Sequence, residues 1–247
     1  MNISTSNSDS NIMKHAIILI IGILATSVFA EFVPTYMTEA DSGKADTVNM
    51  NVSKVYGTGI AFNEHYILTT GDVARHAKKL AAIVVMVNNT PVVARVERSA
   101  DTLFNKEKNE YLNMAILQVD NDVPLNACKI EERLIKVGEP VTVTGFPEDG
   151  KKVQVKSLPA KVVADSTYPD YVANAINVKL PGGFSGAALS NHGKVIGMVF
   201  GYSTRKANTS FFYDGILMSE YISHRNKPTT TDVSKCTYQV RSYVPVE

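Results

Sequence analysis

The sequence has no tryptophan, only two cysteines and almost no net charge: 25 lysines and arginines stand against 24 aspartates and glutamates. Without a basic surplus or basic clusters, nucleic acid and anionic membrane surfaces are not expected partners. The densest group of like charge, Arg75, Lys78 and Lys79, reads as a solvated helix face. No pair of His, Cys, Asp or Glu has metal-ligand spacing, so neither a metal nor another cofactor is expected. There is no internal repeat, and no low-complexity tract beyond the polar opening Asn2 to Asn11. The apolar run Ala16 to Leu24 falls short of the roughly 20 residues that a membrane-crossing helix needs.

That same run carries targeting information. Lys14 precedes it, and Ala25-Thr26-Ser27-Val28-Phe29-Ala30 follows, with Val28 and Ala30 in the small-residue places before a cleavage point. Residues 1–30 therefore read as a secretory signal peptide, with an uncleaved signal anchor as the alternative. In both cases the basic flank before the run and the acidic Glu31, Glu39 and Asp41 after it send the body of the chain out of the cytoplasm. The expected location is periplasmic or secreted, with membrane contact only if the segment is retained. An oxidising compartment permits Cys128 and Cys236 to form one disulfide, the alternative being two buried thiols.

With 45% apolar residues, the body has enough side chains for a sizeable core. After a polar linker over 31–50 it breaks into short runs rich in Val, Ile, Thr and Tyr, the composition strands favour. Strands are expected at Val52–Tyr56, Gly59–Asn63, Tyr66–Thr70, Ala81–Val87, Thr90–Arg98, Met114–Val119, Pro140–Gly145, Lys151–Ala164, Tyr171–Val178, Ala187–Ser190 and Lys194–Tyr202. Turn residues punctuate them, among them Asn88-Asn89 and Asn191-His192-Gly193. Helical character is confined to Asp72–Leu80 and Ile216–Arg225. The spacing predicts an all-β protein. A loop-rich stretch near Leu125–Lys136 divides the strands into two sets, supporting two packed antiparallel barrels. The expected boundaries are 51–126 for the first barrel, 127–226 for the second with a short closing helix, and 227–247 for a C-terminal tail.

Three segments narrow this further. Gly57-Thr58-Gly59-Ile60-Ala61-Phe62 leads to Tyr66-Ile67-Leu68-Thr69-Thr70-Gly71-Asp72-Val73; then comes Tyr111-Leu112-Asn113-Met114-Ala115-Ile116-Leu117; and Gly182-Gly183-Phe184-Ser185-Gly186-Ala187-Ala188-Leu189 precedes Gly193-Lys194-Val195-Ile196-Gly197. In order and spacing they resemble the trypsin-like serine protease family, in particular its bacterial Deg-type branch, over about Asn51 to Arg225. No PDZ-like domain is expected after them. The resemblance implies two six-stranded-type barrels with the site between them. It also places Ser185 at the nucleophile position, the Gly183 and Ser185 amides at the oxyanion hole, and Val199, Phe200, Gly201 and Tyr202 along a peptide cleft. Phe200 and Tyr202 have ordinary barrel core as their alternative reading.

The departures from the pattern are chemical. Asp72 stands where the family has its catalytic histidine and Asn113 where it has its aspartate; the serine loop carries Ala187 and Ala188 in place of glycine and proline. Histidine and aspartate differ by about 2.6 in reference pKa, so carrying the serine proton becomes roughly 3.5 kcal/mol harder for Asp72 than for an imidazole. Losing the base alone costs on the order of a millionfold in turnover in a well-measured serine protease. His76, one helical turn beyond Asp72, reads as solvated or capping in preference to a relocated base. The expected function is an exported pseudoprotease that binds a peptide or protein in the cleft. The alternative is a weak or unconventional endopeptidase using Ser185.

Overall fold

The computed structural model describes residues 36–39, 45–48, 52–74, 82–105, 110–119, 124–148, 153–164, 174–222 and 224–245. The signal segment 1–30 and His76 lie outside the described residues. The chain divides into two units, Met1–Asn51 and Val52–Glu247. In the first, β1 (Tyr36–Glu39) pairs antiparallel with β2 (Ala45–Val48), two strands inside the stretch expected as linker.

The second unit holds the fold. Its elements are β3 (Val52–Ala61), β4 (Tyr66–Thr69), α1 (Gly71–Ala74), β5 (Ala82–Val87), β6 (Thr90–Asn105) and β7 (Glu110–Val119), then β8 (Pro140–Gly145), β9 (Lys156–Val163), β10 (Asn174–Ile176), β11 (Ala188–Asn191), β12 (Lys194–Tyr202), β13 (Ser210–Asp214), α2 (Gly215–Tyr221) and β14 (Thr237–Pro245). Among the described residues they close two six-stranded antiparallel barrels. One runs β14-β3-β4-β7-β6-β5 and the other β10-β13-β12-β11-β8-β9.

The first barrel departs from expectation in one respect. Residues 237–245, placed in a tail by the sequence reading, form the sixth strand. β14 pairs with β3 from Thr237–Ile60 to Pro245–Val52 and with β5 from Gln239–Met86 to Tyr243–Ala82. Polar residues hid it: Thr237, Gln239 and Ser242 are buried alongside Tyr238, Val240 and Tyr243, so the strand has no apolar run. β13 also escaped notice, and the two short strands expected at Val52–Tyr56 and Gly59–Asn63 are one continuous β3.

Three apolar cores follow from strand alternation, because successive side chains face opposite ways. Ala61, Ile67, Ala115 and Leu117 fill the first barrel, whereas their neighbours Ile60, Leu68 and Ile116 turn outward. In the second barrel Val199 and Phe212 point inward, while Met198, Phe211 and Tyr213 point outward. The two outward sets form one cluster with Met218 and Tyr221 of α2. Strands buried on both faces read as nearly unbroken apolar runs, which is why these segments were legible.

Helix α2 continues this junction. Asp214 caps it by accepting the Leu217 amide at 2.9 Å. At its other end the Tyr221 hydroxyl donates to the Met114 carbonyl at 3.0 Å. Arg98 lies 4.4 Å from the Tyr221 ring centre and donates to its carbonyl. Beyond it His224 stacks on Tyr66 and meets Glu97 at 2.6 Å. On the linker between the barrels, Arg133 hydrogen-bonds Glu139 and holds its carboxyl well down, at about 2.

Cys128 and Cys236 are bonded, with α-carbons 5.6 Å apart and a sequence separation of 108. The bridge ties the linker to the residue just before β14, and both cysteines are fully buried. For a loop of this length, replacing both cysteines by serine is expected to lower the unfolding free energy by about 2–5 kcal/mol. Urea denaturation of the double variant against the oxidised protein measures this.

Candidate active site

Thr58 on β3 joins the two barrels at the serine loop. Its backbone N–H donates to the Ser185 carbonyl at 2.8 Å and its hydroxyl donates to the Gly183 carbonyl at 2.8 Å. The same hydroxyl accepts the Phe146 amide at 3.0 Å, and the Thr58 carbonyl accepts from the Thr69 hydroxyl at 2.6 Å. Thr58 has no exposed surface. Sequence reasoning passed over it as a strand residue within Gly57-Thr58-Gly59; its position between two glycines was the available signal.

The loop itself needs glycine where it meets Thr58. Gly186 has φ of +89°, and a β carbon there would sit 1.8 Å from the Thr58 carbonyl oxygen. Gly183 has φ of +88°, and its β carbon would meet the Phe146 carbonyl oxygen at 2.3 Å. The alanines of the loop are accommodated: Ala187 and Ala188 are buried, and the Ala187 methyl packs toward Gly145, which has no side chain to oppose it.

Two amides stand ready for an anion. The Gly182 carbonyl accepts from the Glu148 amide at 2.9 Å, and the Phe184 carbonyl accepts from the Ala187 amide at 2.9 Å. In a trans peptide the N–H points opposite to the C=O, so both bonds turn the next amide, of Gly183 and of Ser185, the other way. Neither of those N–H groups has a protein acceptor among the described residues. Ser185 itself is half-buried.

Asp72 and Asn113 meet each other, not the serine. The Asp72 amide donates to Asn113 Oδ1 at 2.7 Å, and Asn113 Nδ2 donates back to Asp72 Oδ1 at 3.0 Å. Asn113 is 4% exposed, and its own amide donates to the Tyr213 hydroxyl at 2.9 Å. Thr69, three residues before Asp72, lies beside Gly186, so β4 brings the start of α1 to the serine loop. Even so, no hydrogen bond among the described residues links the Ser185 hydroxyl to Asp72 or Asn113. The described histidines offer no substitute. His65 is in the bend before β4, His192 is in an exposed turn, and His224 is engaged by Tyr66 and Glu97.

The four residues expected along a cleft divide. Val199 and Phe200 are core: Val199 is inside the second barrel, and Phe200 stacks on Tyr213 with ring centres 4.2 Å apart. The Val199 side chain is therefore unavailable to a ligand, a correction to the expected lining, and Phe200 takes its alternative reading as barrel core. Gly201 and Tyr202 keep access to solvent.

A family model described as trypsin-like peptidase domain matches residues 57–198, more than half of the chain. The chain belongs to the trypsin-like peptidase family. Solved structures of the family share its fold. A serine-to-alanine mutant of Rv3671c from M. tuberculosis H37Rv, in the inactive form, superposes with TM-score 0.54 at 22% identity, covering 67% of this chain and 79% of that one. The active form of the Rv3671c protease from M. tuberculosis gives 0.51 at 20% identity, covering 73% and 79%. The serine endoprotease from Yersinia pestis gives 0.52 at 21% identity, covering 66% of this chain and 55% of that one. No curated protein matches the sequence.

Two variants test this geometry. Thr58→Val keeps the shape but strands the Gly183 carbonyl and the Phe146 amide without their partner. At about 1–3 kcal/mol for each buried group left unpaired, a loss on the order of 2–5 kcal/mol is expected in chemical denaturation. Asn113→Asp sets a second carboxyl against Asp72, which raises the pKa of one of the pair in the folded state. The protonated pair is then the form that folding favours. The variant is therefore least stable relative to the parent near pH 7 and recovers as the pH falls toward about 4.5, near the reference carboxyl range. Denaturation curves at the two pH values check the sign.

Proposed function

We propose that this member of the family is an exported, catalytically silent module that binds an extended peptide or protein segment in the groove beside Ser185. The carrying observation is the reciprocal Asp72–Asn113 pair. The carboxylate at the base position is engaged by an amide instead of the serine hydroxyl, and no histidine among the described residues stands between them. Proton removal from Ser185 then has no positioned base, and protonation of a leaving amine has no positioned acid. Export is supported by the buried Cys128–Cys236 bridge, which suits an oxidising compartment, and by the signal-like N-terminal segment. A regulatory role fits a groove that holds a ligand without consuming it.

One observation favours a second reading, a slow serine peptidase. The Gly183 and Ser185 amides lack protein acceptors among the described residues, and such donors retain a modest acceleration without a triad. Fluorophosphonate labelling separates the two. No Ser185-dependent labelling is expected in the parent protein, and Asp72→His combined with Asn113→Asp is expected to gain labelling that Ser185→Ala removes. Labelling of the parent that disappears in Ser185→Ala would overturn the silent-module reading in favour of the peptidase.

A further inference from the structure

Among the described residues three large apolar side chains stand exposed, and two of them share one short stretch of the linker between the barrels: Leu134 at 77% and Val137 at 68%. Between them Ile135 turns the other way and packs on the core of the second barrel. The chain then reverses. The Glu139 amide donates to the Lys136 carbonyl at 3.1 Å, and Gly138 has φ of +91°, the arrangement of a β-turn that needs glycine in its third place. Val137 therefore occupies a turn corner, where proline or a polar residue is common.

This tip is braced from below. Arg133 hydrogen-bonds Glu139 through both terminal nitrogens, and Glu139 also accepts from the Lys136 amide at 3.3 Å and from Asn191 Nδ2 at 2.6 Å. Glu131 is paired with Lys194 at 2.7 Å. Those bonds occupy two of the nearby carboxylates. Lys136 and Lys161 are exposed and have no carboxylate partner among the described residues. Lys161 reaches the same tip, its ε carbon 3.8 Å from where a Gly138 β carbon would stand. Glu132 is also exposed and unpaired, which leaves the cations in excess. The two lysines are 25 residues apart (161 less 136), so the sequence showed no basic cluster; the β8–β9 pairing of Pro140 with Lys161 brings them together.

We propose that this tip docks on an anionic lipid surface. Leu134 and Val137 enter the boundary of the acyl chains, and Lys136 and Lys161 meet the phosphate headgroups. A protein partner suits it less. Protein contacts concentrate their energy in aromatic residues and arginine; residues 131–139 include no aromatic, and their arginine is taken by Glu139. The inference does not depend on what lies in the groove beside Ser185.

The chain has no tryptophan, so one can be placed at the tip as a reporter. Leu134→Trp in the full chain is titrated with vesicles of phosphatidylcholine alone and of phosphatidylcholine with phosphatidylglycerol, and its fluorescence is followed. Emission is expected to shift to the blue on the anionic vesicles and to be quenched when their acyl chains carry bromine. Glu64→Trp, in the exposed bend before β4, is expected to report neither, which separates docking by this tip from anchoring through the N-terminal segment. Adding Lys136→Gln or Lys161→Gln should raise the lipid midpoint about fivefold each at low salt, and adding Val137→Asp should abolish the shift. No shift on anionic vesicles, or an unchanged midpoint with both lysines replaced, would overturn the proposal. A blue shift that appears without lipid and grows with protein concentration would assign the face to a second copy of the chain and overturn it as well.

Discussion

The structure depends on one buried threonine at the junction of its two barrels. Thr58 uses its amide, carbonyl and hydroxyl at once, to Ser185, Thr69, Gly183 and Phe146. These bonds lie in a dry contact where an unpaired group is costly, so the serine loop has little freedom while the barrels stay packed. The loop's shape is therefore a property of barrel docking as much as of its own sequence. Gly183 and Gly186 answer to that docking, since each approaches backbone atoms from another segment at distances that exclude a side chain.

The same frame explains how two altered side chains can be tolerated at its centre. Asp72 and Asn113 are complementary donors and acceptors: amide to amide oxygen in one direction, amide hydrogen to carboxylate in the other. The exchange stabilises the start of α1, where an acceptor for a free amide is needed in any case. The backbone donors of the serine loop are independent of those side chains, because the Glu148 and Ala187 amides that orient their peptides bond to carbonyls of the loop itself.

Legibility in the sequence followed the physics of burial. Strands with two covered faces, such as Ala82–Val87 and Lys194–Tyr202, announced themselves as apolar runs. Short motifs located Ser185, Asp72 and Asn113 because their spacing is fixed by strand and turn lengths. β14 did not announce itself, since its place between two strands is secured by backbone pairing and its buried faces include threonine, glutamine and serine. The role of Thr58 was equally hidden, because its partners lie up to 127 residues away along the chain (Ser185 less Thr58) and no local pattern encodes them. The split of Val199 and Phe200 from Gly201 and Tyr202 also needed coordinates. A register shift in the β12–β13 pairing between Val199 and Gly201 breaks the simple alternation of sides.

The placement of β14 carries a consequence for how the protein is made. The first barrel begins at Val52, yet its ladder between β3 and β5 stays open until Thr237–Pro245 has been synthesised. During synthesis the early strands must wait, with two unpaired edges exposed, while the entire second barrel emerges. Pairing over such sequence distances slows folding, and a chain released early would keep those edges. Completion of this strand thus serves as a check on synthesis: the first barrel can close only on a polypeptide that has been read through Pro245.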